Sequence, residues 1–176
     1  IRKAKKSIHI SHMYFHPTPA IMNELIAAAK RGVSIEILTC GTDYTGVPRS
    51  HHLFAPRNKY HYSHLMNALS EEERKRVRID EFSESKIGFH KKLIVVDEEI
   101  VLGGSSNFGY KSLVPASDHE LNFVAKSRPF AEQTLAIRTI DVAHSRQVVY
   151  PIDQRWTLSR REFYQTMLHQ LWAPIH

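Results

Sequence analysis

Three features of the 176-residue sequence predict a single α/β domain. Short β-branched segments alternate with helical ones, cap and stop residues stand at the joins, and a 42% hydrophobic composition suffices for one substantial core. Residues 7 to 15, SIHISHMYF, have the β-branched and aromatic content of a strand. Residues 18 to 32, TPAIMNELIAAAKRG, predict a helix with Thr18 as cap, Pro19 in the first turn and Gly32 as stop. VSIEILTC (33 to 40) follows as a second strand, so the first three elements predict a parallel crossover unit. Cys40, the one cysteine, excludes an internal disulfide and supplies no metal-site spacing.

Residues 41 to 58 are rich in proline, glycine and polar groups and predict a long loop. YHYSHLMNALSEEE (60 to 73) predicts a helix and RVRIDEF (76 to 82) a strand of alternating polarity. Lys92 to Val96 and Ile100 to Gly103 are two apolar runs joined by Asp97, Glu98 and Glu99, the form of a tight hairpin. HELNFVAK (119 to 126) reads as a further strand, and residues 127 to 145 as a helix capped by Ser127 with Pro129 just inside it. A last helix is expected from the capping box Ser159 and Glu162 to Trp172.

The chemistry concentrates around the hairpin. Side chains two apart on a strand share a face, so His90 and Lys92 converge while Lys91 points away. Gly103 and Gly104 are expected to leave the backbone open to close approach, and Ser105, Ser106 and Asn107 follow where the chain leaves the sheet. Lysine, serine and asparagine donors grouped this way suit an oxyanion such as phosphate.

These residues resemble the phospholipase D superfamily, whose signature of histidine, any residue, lysine, four residues and aspartate is met by His90, Lys92 and Asp97. Gly103, Gly104, Ser105 and Asn107 match its downstream elements, and Glu120 the glutamate that opens the next strand and bonds the histidine, with Asp118 as its rival. The opening crossover looks like that of a family half, and residues 156 to 176 like the tail of the bacterial cardiolipin synthase branch.

The resemblance implies an α-β-α sandwich with a mixed central sheet flanked by helices. It also implies a catalytic set of His90, Lys92, Asp97, Asn107 and Glu120, with the phosphate held by Lys92, Ser105 and Asn107. One imidazole would form a phosphohistidine while a second protonates the leaving alcohol, with neither metal nor cofactor. Asp97 itself reads as a hairpin or orienting residue. One motif per chain implies either a homodimer or one half of a longer two-motif enzyme.

The substrate expected is a phospholipid, cleaved or transferred. The alternative is a homodimeric endonuclease or phosphodiesterase whose net charge of +6 tracks a nucleic-acid backbone. His90 alone could be a hydrogen-bonded core residue; the full motif argues against that. His51, His52, His61 and His64 lack a recognised ligand spacing and read as a solvated or substrate-facing surface. The run RKAKK and an apolar stripe from Phe163 to Trp172 could meet an anionic membrane surface, although a solvated helix end and core packing are their commoner uses. Membrane association is expected, without a transmembrane segment within the chain.

Overall fold

The computed structural model describes residues 1–41, 51–84, 89–113 and 119–150, with side chains at 51–56, 110 and 111 left aside. Its strands are β1 (Ser7–His12), β2 (Ser34–Cys40), β3 (Val77–Phe82), β4 (Lys92–Val96), β5 (Ile100–Gly104), β6 (Asn122–Lys126) and β7 (Ser145–Gln147). The helices are α1 (Pro19–Lys30), α2 (His51–Asn67), α3 (Glu71–Arg74), α4 (Tyr110–Leu113) and α5 (Arg128–Ala143). Among the described residues one seven-stranded sheet runs in the order β6-β5-β4-β1-β2-β3-β7. The pairs β1/β2 and β2/β3 are parallel, and the rest are antiparallel, so the sheet is mixed as expected.

Period-two alternation divides the core between the two faces. Ile8, Ile10, Ile35 and Ile37 pack with Met22 and Leu25 of α1 and Tyr62 and Leu65 of α2. Val95 and Val101 pack on the opposite face with Ala131 of α5. Helices therefore cover both faces in an α-β-α sandwich. Thr18 caps α1 by accepting from Ile21 N at 3.4 Å, and Ser127 caps α5 by accepting from Phe130 N at 3.4 Å.

Two expectations need correction. The polar loop is shorter than its composition suggested, because α2 already begins at His51 and runs through Pro56. The expected 60 to 73 helix also breaks: α2 ends at Asn67, and Ser70 and Glu73 form a capping box that starts α3. Tertiary burial overrides local composition here, since Asn58, Tyr62, Leu65 and Met66 turn one side of α2 into the core. The short α4 and β7 were not expected, and the helix from Ser159 to Trp172 lies outside the described residues.

Asn58 ties this helix to the sheet. Its Oδ1 accepts from Phe15 N at 2.8 Å, and its Nδ2 donates to Thr39 Oγ1 at 2.7 Å and to the Cys40 carbonyl at 3.1 Å. The fully buried amide thus fixes the ends of β1 and β2, next to which β4 presents Lys92.

Candidate active site

His90 precedes β4 and Lys92 opens it, so strand geometry carries both side chains to one face. Lys92 Nζ lies 3.0 Å from His90 Nε2. An ammonium can only donate, so Nε2 accepts, and the neutral ring carries its proton on Nδ1. Partial burial, and next the Lys92 charge, hold the His90 imidazole below its ordinary pKa. Burial also lowers the Lys92 ammonium, against an opposing pull from Glu120. Lys91 points to the other face, where it pairs with Asp141.

Ser105 follows β5 and donates from Oγ to Glu120 Oε2 while accepting from Leu121 N at 3.0 Å. The hydrogen bond from Ser105, with the Ser112 hydroxyl and the Lys92 charge nearby, keeps the Glu120 carboxyl below its usual range. Glu120 was expected to bond His90; the structure turns it to Ser105, close enough to Lys92 for its charge to be felt. Its rival Asp118 lies outside the described residues. Asn107 is half-buried, with its Oδ1 enclosed and without a partner.

Asp97 is not brought to this cluster. It stands at the far end of β4, about 16 Å of strand from Lys92. Its carboxylate accepts from the backbone N–H groups of Lys5 (3.0 Å), Lys6 (2.7 Å) and Ser7 (3.1 Å). Burial alone would raise its pKa, but these three donors outweigh burial and lower it. Asp97 and Glu98 have φ of 53° and 56°, the left-handed pair of a type I′ hairpin turn. Asp97 thus holds the start of β1 against the β4–β5 turn.

The glycines also work differently from expectation. A Cβ on Gly103 would come within 2.7 Å of Leu93 Cδ2 and 2.8 Å of Phe123 Cζ, and one on Gly104 within 2.3 Å of the Leu121 carbonyl oxygen. They admit neighbouring strands rather than a substrate.

The sequence reading missed His12. Antiparallel register makes it the Cα partner of Lys92, and its ring is buried with its centroid 5.1 Å from that of Phe108. Burial and then Lys92 push its pKa down to about 3, so an uncharged imidazole stands beside the lysine. The alternation of SIHISHM placed His12 on the face of Ile8 and Ile10, yet only the β1/β4 register joins that face to Lys92.

Of the four histidines considered as a surface, His61 is half-buried against His16 at 5.4 Å between ring centroids, and burial, with Arg57 and His64 after it, pushes its pKa to about 3. His64 is exposed, and the side chains of His51 and His52 are not described. Among the described residues no group of three or more histidine, cysteine or carboxylate side chains could hold a metal ion.

A family profile described as cardiolipin synthase, PLD-like domain, matches residues 1–137. The chain is 29% identical over 154 residues to a cardiolipin synthase of Halalkalibacterium halodurans, covering 84% of this chain and 26% of that protein. The chain therefore spans about a quarter of that relative's length. Its fold matches Nuc, a phospholipase D family member from Salmonella typhimurium, with a TM-score of 0.58 and 23% identity over 83% of this chain and 84% of that one. It also matches the phosphatidylserine synthase of Haemophilus influenzae, with a TM-score of 0.73 and 13% identity over 98% of this chain and 40% of that one. At these identities the two structural likenesses concern the fold alone.

Proposed function

Because the chain belongs to the cardiolipin synthase PLD-like domain family, we propose that it is one motif-bearing half of a phosphodiesterase or phosphatidyltransferase acting on phospholipid. The observation that carries this reading is the 3.0 Å contact between Lys92 Nζ and a neutral His90 Nε2, with the Ser105–Glu120 pair near enough for the Glu120 charge to act on Lys92.

The contact suggests an order of events. A substrate phosphoryl oxygen takes the Lys92 hydrogen bond, which frees the Nε2 lone pair. Nε2 attacks phosphorus, the bond to the leaving alcohol breaks, and a second imidazole gives its proton to that oxygen. Water or an acceptor alcohol then attacks the phosphohistidine, the P–N bond breaks, and the acceptor's proton returns to the second imidazole. Lys92 and Asn107 stabilise the phosphoryl oxygens, a contribution of about 3 kcal/mol for one well-placed donor. Glu120 positions Ser105 and balances the Lys92 charge. Asp97, 16 Å or so along the strand, acts on the fold and not on substrate.

This mechanism needs two imidazoles and draws its positive charge from Lys92, so activity is expected to survive excess chelator. The second motif comes from an upstream half of a longer enzyme, which the chain's one-quarter share of its relative's length favours; the rival source is a second copy. If the upstream half holds the nucleophile the two roles exchange, its imidazole attacking phosphorus and a protonated His90 giving its proton to the leaving oxygen; in a homodimer the two copies share both roles. Association with an anionic membrane surface follows from a lipid substrate and the net charge of +6; no described helix is long and apolar enough to cross a membrane.

A second reading, a homodimeric phosphodiesterase or endonuclease acting on nucleic acid, is favoured by the same charge and by a family fold of nearly equal chain length in Nuc. The deciding assay gives the protein with a complete site phospholipid in mixed micelles and, separately, single-stranded nucleic acid. Headgroup release or exchange that glycerol-bearing lipid diverts from phosphatidic acid, and that His90→Ala abolishes, upholds the first reading. Cleavage of nucleic acid with lipid untouched replaces it with the second.

A further inference from the structure

The hydrogen bonds between β1 and β4 decide which facing side chains come closest. Asp97 N donates to the Ser7 carbonyl at 2.9 Å, and Met13 N to the Lys91 carbonyl at 3.0 Å. Hydrogen-bonded pairs alternate with open ones along an antiparallel ladder, so Ser7 and Met13 belong to the first kind and His12 to the second. His12 and Lys92 therefore face each other as an open pair, with Cα atoms about 4.5 Å apart and side chains closer than in the bonded pairs.

The same imidazole packs on Phe108, with the ring planes tilted by 39°. Phe108 is itself anchored: its carbonyl accepts from His16 N at 3.0 Å, and its ring centroid lies 5.8 Å from that of Phe15. Asn107 comes just before it, and Gly109 N closes a three-residue turn on the Asn107 carbonyl at 2.9 Å. One ring thus joins the strand that carries Lys92 to the turn that carries Asn107. Its Nδ1 is buried and has no hydrogen-bond partner among the described residues, so packing and not a bond at that nitrogen places it. Burial also keeps it uncharged beside the ammonium.

We infer that His12 is a positioning residue: an uncharged spacer packed against both Lys92 and Phe108, it sets the separation of the Lys92 and Asn107 donors that receive the phosphoryl oxygens. The receipt of those oxygens rests on the function proposed above, whereas the packing does not. Size and charge suit the place. A small side chain would lose Phe108 and give Lys92 room to swing away from His90, whose Nε2 it meets at 3.0 Å. A cationic one would repel the ammonium it faces.

Nuclear magnetic resonance of the His90 imidazole protons, followed against pH and against inorganic phosphate beside thermal melts, tests the inference. His12→Ala is expected to raise the His90 pKa, because Lys92 gains room to leave it, and to weaken phosphate binding by roughly tenfold. Where that variant does not fold, His12→Thr, a smaller cut that suits a strand, carries the same test. His12→Phe keeps a flat uncharged ring and should restore the pKa and bring phosphate affinity to within about twofold of the native chain. Phe108→Leu should weaken phosphate and leave the His90 pKa in place, since it loosens Asn107 and not Lys92. A folded His12→Ala or His12→Thr with pKa and affinity unmoved would overturn the role. Loss in His12→Phe as deep as in His12→Ala would show that the imidazole nitrogens are required and would overturn the spacer. A native chain that ignores phosphate would remove the phosphate site of the proposed function, and the His90 pKa would then decide the role of His12 alone.

Discussion

Lys92 Nζ and His90 Nε2 stand 3.0 Å apart on one face of β4, so the lysine's charge acts on the imidazole it touches. The contact links two observables, the protonation state of the histidine and turnover by the assembled site.

Lys92→Met should raise the His90 pKa toward its ordinary value of 6.5, because a neighbouring positive charge is removed while burial, the larger depressing cause, remains. Nuclear magnetic resonance titration of the imidazole protons reads this directly. In the assembled enzyme the same change is expected to lower turnover by about 10²–10³-fold. An unmoved pKa would show that the contact carries no electrostatic weight.

Asp97→Asn should destabilise the domain by about 1–2 kcal/mol, the scale of charge-assisted hydrogen bonds reduced for a partly exposed site. The carboxyl pKa is lowered in the folded state, so its stabilisation is full above the unfolded value near 3.9 and is lost as pH falls through the folded value. Denaturant melts between neutral and acid pH should show a shallower acid loss in the variant. If Asp97 belonged to the chemistry instead, stability would hold and only turnover would fall.

Asn58→Ala removes three short buried hydrogen bonds and leaves Phe15 N, Thr39 Oγ1 and the Cys40 carbonyl to find other partners. A loss of about 2–4 kcal/mol is expected in urea unfolding. A change under 1 kcal/mol, on the order of a typical single hydrogen bond, would mean that α2 docks through Tyr62, Leu65 and Met66 alone.

Turnover should depend on a second motif. Sedimentation beside an activity titration separates the sources: activity that rises with dimer fraction identifies a homodimer, and activity that appears only with an upstream half identifies a two-motif enzyme. A monomer of this chain active at high dilution would refute the two-imidazole mechanism.

The sequence by itself determined whatever depends on neighbours along the chain. The β4–β5 hairpin, the shared face of His90 and Lys92, and the caps at Thr18 and Ser127 follow from spacing and local stereochemistry, and each is present in the structure. The motif residues carried the family through the same local pattern. Tertiary structure decided what depends on register between distant segments. His12 meets Lys92 only because β1 and β4 pair antiparallel. Asp97 finds the amides of Lys5, Lys6 and Ser7 for the same reason, and Glu120 turns to Ser105 instead of His90 because β5 and β6 bring those two ends together. A loop-like composition around Asn58 became helix once the core could use its amide. Local spacing fixes directions along one strand, but a hydrogen bond between residues many tens of positions apart is chosen by the strand register that buries the most apolar surface and leaves the fewest polar groups unpaired.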